Sequence, residues 1–109
     1  MKKYEIIKKN FEFNDIINTG AYLKNKYYYV YYKKNSFSYS RFGLAVSKKM
    51  GNAVERNKYK RQLRMIIHEN KIEFSQDYDF IIMPRTSLKE LNYQEMAQQM
   101  ISLVKRGNY

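Results

Sequence analysis

The chain has 109 residues, no cysteine and a hydrophobic fraction of 44%; these values suit one packed core and exclude a disordered segment, a disulfide scaffold and a thiolate metal site. Twenty-one Lys and Arg stand against ten Asp and Glu, a net charge of +11 whose field attracts polyanions and makes their binding salt-dependent. Nucleic acid is the first expectation and an anionic membrane surface the second.

No apolar run approaches the length of a membrane span, and Met1-Lys2-Lys3-Tyr4-Glu5 lacks the apolar stretch of a signal peptide. A cytoplasmic protein with no membrane partner is therefore expected. No repeat, linker or composition break divides the chain, so residues 1–109 read as a single domain. Twelve Tyr and six Phe suit strands and cores, where roughly three in four of them are expected. Any remaining rings could stack on unpaired bases.

Taken in chain order, Asn10 to Thr19 predicts a short helix. Phe13, Ile16 and Ile17 fall at i, i+3 and i+4, and Gly20 is placed to take a left-handed stop. Ala21 to Lys34 reads as strand centred on Tyr27 to Tyr32; Asn35-Ser36-Phe37-Ser38 is a turn, and Arg41 to Lys48 a second strand. Asn52, with Glu55 three residues on, caps the principal helix, which runs to about Asn70. Asp79 to Met83 reads as a buried strand stopped by Pro84. Asn92 and Glu95 repeat the capping pattern and open a last helix with Met96, Met100, Leu103 and Val104 as its apolar stripe. Helix, two or three strands, helix, strand, helix implies one sheet with helices packed on it.

On a helical wheel, Tyr59, Leu63 and Ile66 of the principal helix share the side that should face the sheet. Asn57, Lys60, Arg61, Arg64 and His68 gather opposite, with Arg56 at the border. Lys48 and Lys49 precede the helix start. Arginine forks onto phosphate through paired hydrogen bonds and lysine supplies point charge, so this ridge suits a phosphate backbone. Charge alone does not name the partner; a basic helix face is often merely solvated.

The order of residues is more specific. Ala45-Val46-Ser47-Lys48-Lys49-Met50-Gly51-Asn52-Ala53-Val54-Glu55-Arg56-Asn57-Lys58-Tyr59-Lys60-Arg61-Gln62-Leu63-Arg64 resembles the signature of the bacterial ribonuclease P protein component: Ser-Lys-Lys, then Gly-Asn-Ala-Val, then a basic helix ending in Lys-Arg and Arg. Weaker similarity covers Lys8-Lys9 before Phe13, Gly20, and Asp79-Phe80-Ile81-Ile82. The resemblance implies an α+β fold, a two-layer α/β sandwich in the order α-β-β-β-α-β-α, with a left-handed β-α-β crossover where the general rule is right-handed. It further implies a single RNA-binding domain that serves as accessory subunit of the endoribonuclease ribonuclease P. In that family a catalytic RNA hydrolyses the 5′ leader from precursor tRNA. Magnesium belongs to the RNA holoenzyme; the protein alone holds no cofactor or metal and supplies no catalytic side chain. The implied partners are ribonuclease P RNA and the single-stranded leader, with no obligatory protein partner.

Carried over by position, Lys48, Lys49, Arg56, Asn57, Lys58, Lys60, Arg61 and Arg64 form the expected RNA-binding surface. Phe13, Ile17, Tyr31, Ala45 and Asn57 form the expected leader cleft, between the first helix and the sheet face. Ile17 stands where the family often has a second Phe, and Ala45 where Ser is common. Lys58 replaces the second arginine of the motif, keeping charge but losing the bidentate fork.

His68, the only histidine, has no evident partner for metal binding or base catalysis and reads as a polar helix residue. Asp77 and Asp79 could share a strand face as a magnesium pair, but answering nearby positive charge is the simpler role. The competing class is a non-catalytic RNA-binding module such as a ribosomal or assembly protein. An independent metal nuclease lacks the acidic cluster it would need.

Overall fold

The computed structural model describes residues 2–109. Three helices, α1 (Asn10–Thr19), α2 (Ala53–Glu69) and α3 (Tyr93–Val104), accompany four strands, β1 (Ala21–Lys24), β2 (Tyr28–Lys34), β3 (Arg41–Leu44) and β4 (Tyr78–Pro84). The chain order is the expected α-β-β-β-α-β-α. The strands form one sheet in the order β1-β2-β4-β3, antiparallel except for the parallel pair of β3 and β4 that α2 connects.

The long strand expected over Ala21–Lys34 is instead a hairpin. Asn25 Oδ1 accepts hydrogen bonds from the backbone N–H groups of Tyr27 and Tyr28, both at 2.8 Å, and this side-chain turn reverses the chain between two aromatic runs. Gly20 also departs from expectation. Its φ of −84° and ψ of 175° are extended, not left-handed. Its requirement is space: a Cβ would come within 2.5 Å of the Ile16 carbonyl and 2.6 Å of the Tyr32 carbonyl. The strand expected to reach Lys48 stops at Leu44, and Lys48–Met50 forms a short 3-10 turn with Met50 fully buried.

Strand alternation sends side chains to two faces. On one face, Tyr28, Val30, Tyr32, Phe42, Phe80 and Ile82 meet Leu63, Ile66 and Ile67 of α2 and the Met96, Met100, Leu103 and Val104 stripe of α3. Each fully buried Leu or Ile there contributes about 1.5–3 kcal/mol relative to exposure. Phe74 packs edge-on against Phe42 and Phe80, with centroids 5.0 and 5.1 Å away. Tyr28 keeps its ring in this core because its hydroxyl donates to the Met96 carbonyl at 2.8 Å; burial raises its pKa.

The sheet with α2 and α3 makes the two-layer sandwich, and α1 lies on the other face. There Ile16 joins Ile7 and Ile81 in a second cluster. The register places Gly43, Ile81, Tyr31 and Tyr22 in one transverse row across the four strands. The neighbouring row on the same face holds Arg41, Asp79 and Lys33. Two ion pairs tie α1 to that row: Arg41 to Glu12 at 2.9 Å and Lys33 to Asp15 at 2.7 Å.

Candidate nucleic-acid interface

The basic helix is held at its start by local chemistry. Asn52 Oδ1 accepts from the Glu55 N–H at 2.9 Å, and Glu55 Oε1 accepts from the Asn52 N–H at 3.3 Å. This reciprocal cap satisfies two of the helix's free donors. Gly51 precedes it at φ 129°, a conformation that L side chains avoid. A Cβ there would also come within 2.7 Å of the Glu55 carboxylate. Buried Met50 anchors the turn, so Lys48 and Lys49 project from it exposed beside the helix's positive end.

Along α2, Leu63, Ile66 and Ile67 are buried, while Asn57, Lys58, Arg61, Arg64 and His68 are exposed; Arg56, Tyr59 and Lys60 are half-buried. The expected face assignment is therefore observed except at Lys60, which was expected on the outer side and is half-buried. Arg61, Arg64, Met65 and His68 surround a shallow depression of about 380 Å³. Among the described residues, none of the ion pairs includes Lys48, Lys49, Arg56, Lys58, Lys60, Arg61 or Arg64. The helix's two carboxylates are used elsewhere, Glu55 in the cap and Glu69 as acceptor for the Tyr93 hydroxyl at 2.7 Å. Arg56 adds a buried Nε with no hydrogen-bond partner among the described residues. Buried donors are almost always satisfied, so this guanidinium carries unused bonding capacity.

Phe13, Ile17, Tyr31 and Ala45 do come together, all packed against the Ile7, Ile16 and Ile81 cluster. Phe13 rests on Gly43, where an added Cβ would meet its ring at 2.6 Å, and Ile16 is buried in the contact. The open space is a groove of about 640 Å³ along the flank of α1, lined by Ile7, Lys8, Asn10, Phe13, Asn14, Ile17 and Leu44. Asn57 stands exposed on the first turns of α2, and no hydrogen bond ties it to this cluster among the described residues. Lys8 was noted only for its likeness to the family, and Asn10 and Asn14 were not assigned to the site from the sequence. Gly43, inside a strand, carried the one usable signal, since such a glycine often marks close approach by another group.

The carboxylates near the cleft are engaged. Asp79 accepts from Arg41 at 2.9 and 2.6 Å and from Asn35 at 2.8 Å. Asp79 and Glu12 together raise the Arg41 pKa, Asp79 most strongly, against the opposing effect of burial. Asp77 lies in the turn before β4 at φ 55°, 4.0 Å from Lys34. Both carboxylates of the pair thus face cations of the chain itself, and among the described residues no group of three or more His, Cys, Asp or Glu is placed to hold a metal ion. No helix among the described residues is long and apolar enough to cross a membrane.

The sequence matches the family model described as Ribonuclease P over residues 1–108. It is 47% identical over 106 residues to the ribonuclease P protein component of Mycoplasma capricolum, covering 96% of this chain and 97% of that one. It is 42% identical to the Bacillus cereus ribonuclease P protein component, with 98% and 94% covered. Among solved structures, the RNase P protein from Thermotoga maritima superposes with a TM-score of 0.88 at 30% identity, covering 96% of this chain and 99% of that one. The Staphylococcus aureus RNase P protein gives 0.85 at 32% identity, with 93% of each chain covered. The chain belongs to the ribonuclease P protein family.

Proposed function

We propose that this protein subunit of ribonuclease P binds the catalytic RNA through the α2 ridge and the single-stranded 5′ leader of precursor tRNA along the α1 groove. In this reading Lys48, Lys49, Arg56, Lys58, Lys60, Arg61 and Arg64 neutralise RNA phosphates. Phe13 and Tyr31 offer rings to leader bases, Ile17 and Ala45 supply apolar floor, and Asn57 hydrogen-bonds near the leader. The observation that carries the reading is the row of α2 cations with no carboxylate partner among the described residues, on a helix whose other face is fixed to the core. Unpaired, pre-aligned cations release counterions from RNA without first breaking protein ion pairs.

The protein contributes binding and orientation to the hydrolysis. Among the described residues, the nearby carboxylates Asp79 and Glu12 are both engaged by Arg41. In this reading metal-dependent activation of water falls to the RNA, which would supply the magnesium sites. Equilibrium binding to a bacterial ribonuclease P RNA across a salt series tests the reading. Tight, steeply salt-dependent binding that exceeds binding to an unrelated structured RNA of equal length is expected. Equal affinity for the two RNAs would favour a general RNA-binding module instead.

A further inference from the structure

The α1 face of the sheet continues beyond the groove as a tyrosine ladder. Tyr22 pairs across the hairpin with Tyr31, their ring centroids 5.9 Å apart, and Tyr29 follows Tyr31 on the same face at 6.5 Å with planes 24° apart. The Arg85 guanidinium ends the series, 5.0 Å from the Tyr29 ring centroid, and is fixed there by its hydrogen bond to the Asn25 carbonyl at 2.7 Å. Register explains why α1 does not lie over this stretch, where Tyr29 is half-buried beside Arg85. Helix α1 covers the rows of Asp79 and Ile81, while the next row, with Lys24, Tyr29 and Met83, lies past it. Tyr22 is 57% exposed, and no salt bridge among the described residues involves Lys24 or Arg85.

Resting on the proposed leader reading, we infer that Tyr22 and Tyr29 form a second stacking subsite that takes leader nucleotides running past the Phe13–Tyr31 cleft. A row of rings with a terminal guanidinium plane and a nearby lysine is what single-stranded RNA requires. Each base has a flat face to stack on, and the phosphates between bases meet positive charge. A membrane or protein partner would not use this pattern as well: the rings are polar-tipped and flanked by cations, without a surrounding apolar field.

The test is a series of precursor tRNAs whose leaders lengthen from about two to about ten nucleotides, bound to the holoenzyme assembled with wild-type protein, Tyr22→Ser, Tyr29→Val or the double variant. Affinity for long leaders should fall roughly five- to tenfold per ring removed, with short leaders unaffected and Tyr22→Phe and Tyr29→Phe near wild type. Equal losses at every leader length, or none at any, overturn the subsite. A wild-type protein that assembles with the RNA but ignores leader length contradicts the leader reading itself, a result distinct from failure of the variants alone. Should Tyr29→Val fold poorly, photocrosslinking with wild-type protein decides. Leaders carrying 4-thiouridine at distal positions should crosslink to Tyr22 or Tyr29; crosslinks confined to the α1 groove overturn the inference.

Discussion

The Phe13 ring lies directly on Gly43, so closely that a Cβ on Gly43 would sit 2.6 Å from the Phe13 Cζ. One absent side chain thus sets the height of α1 above the sheet, and with it the position of the groove along its flank. Gly43→Ala is expected to force Phe13 outward and destabilise the fold by about 1–3 kcal/mol, the usual cost of overpacking. Adding Phe13→Leu should return part of that loss, because the smaller side chain can yield. Denaturant unfolding of the two single variants and the double measures the coupling; strictly additive effects would contradict direct contact.

Glu5 provides a pH test. It is buried, and its carboxylate accepts from the Lys2 N–H at 2.9 Å and from the Lys71 ammonium. Burial pushes its pKa up, but the Lys71 and Lys2 hydrogen bonds outweigh that and the net pKa is lowered. A lowered folded pKa means stability that is present above the unfolded value and lost as pH falls through the folded one. Glu5→Gln should therefore melt below wild type at neutral pH, with the gap closing as the pH drops below about 4. Thermal melts at the two pH values check this, and a gap independent of pH would contradict the linkage.

Arg61→Ala and Arg64→Ala should each weaken binding to ribonuclease P RNA and reduce the slope of log affinity against log salt by about one unit per lost phosphate contact. Both residues are exposed on α2 away from the core, so melting temperatures should stay close to wild type. An unchanged slope would mean that the side chain does not touch phosphate.

Ile17 sits half-buried against Ile7, Ile16 and Ile81 beside the groove. Ile17→Phe places a ring where this chain has only an aliphatic branch, and leader affinity is expected to rise roughly fivefold. The comparison is between precursor tRNA with a leader and mature tRNA without one. Equal gains for both would remove Ile17 from the leader path.

Features fixed by neighbours in sequence were the legible ones. Both capping boxes, Asn52 with Glu55 and Asn92 with Glu95, were readable because their hydrogen bonds span three residues. The outward face of α2 followed from periodicity alone. Features that depend on distant chain were not legible. Gly20 is needed because the Tyr32 carbonyl approaches it, which no local pattern announces. The turn at Asn25 hides inside a run that reads as one strand. The ladder of Tyr22, Tyr31 and Tyr29 exists only once the hairpin register is set, and Arg41 reveals its partners only when β3 lies beside β4 and under α1.

The most direct measurement is reconstitution with a bacterial ribonuclease P RNA at a magnesium concentration too low for the RNA to act alone. Added protein should restore cleavage of a leader-bearing precursor tRNA at the mature 5′ end, and the protein without RNA should cleave nothing. No stimulation by the folded protein, or cleavage by the protein alone, would contradict its role as the accessory subunit of an RNA enzyme.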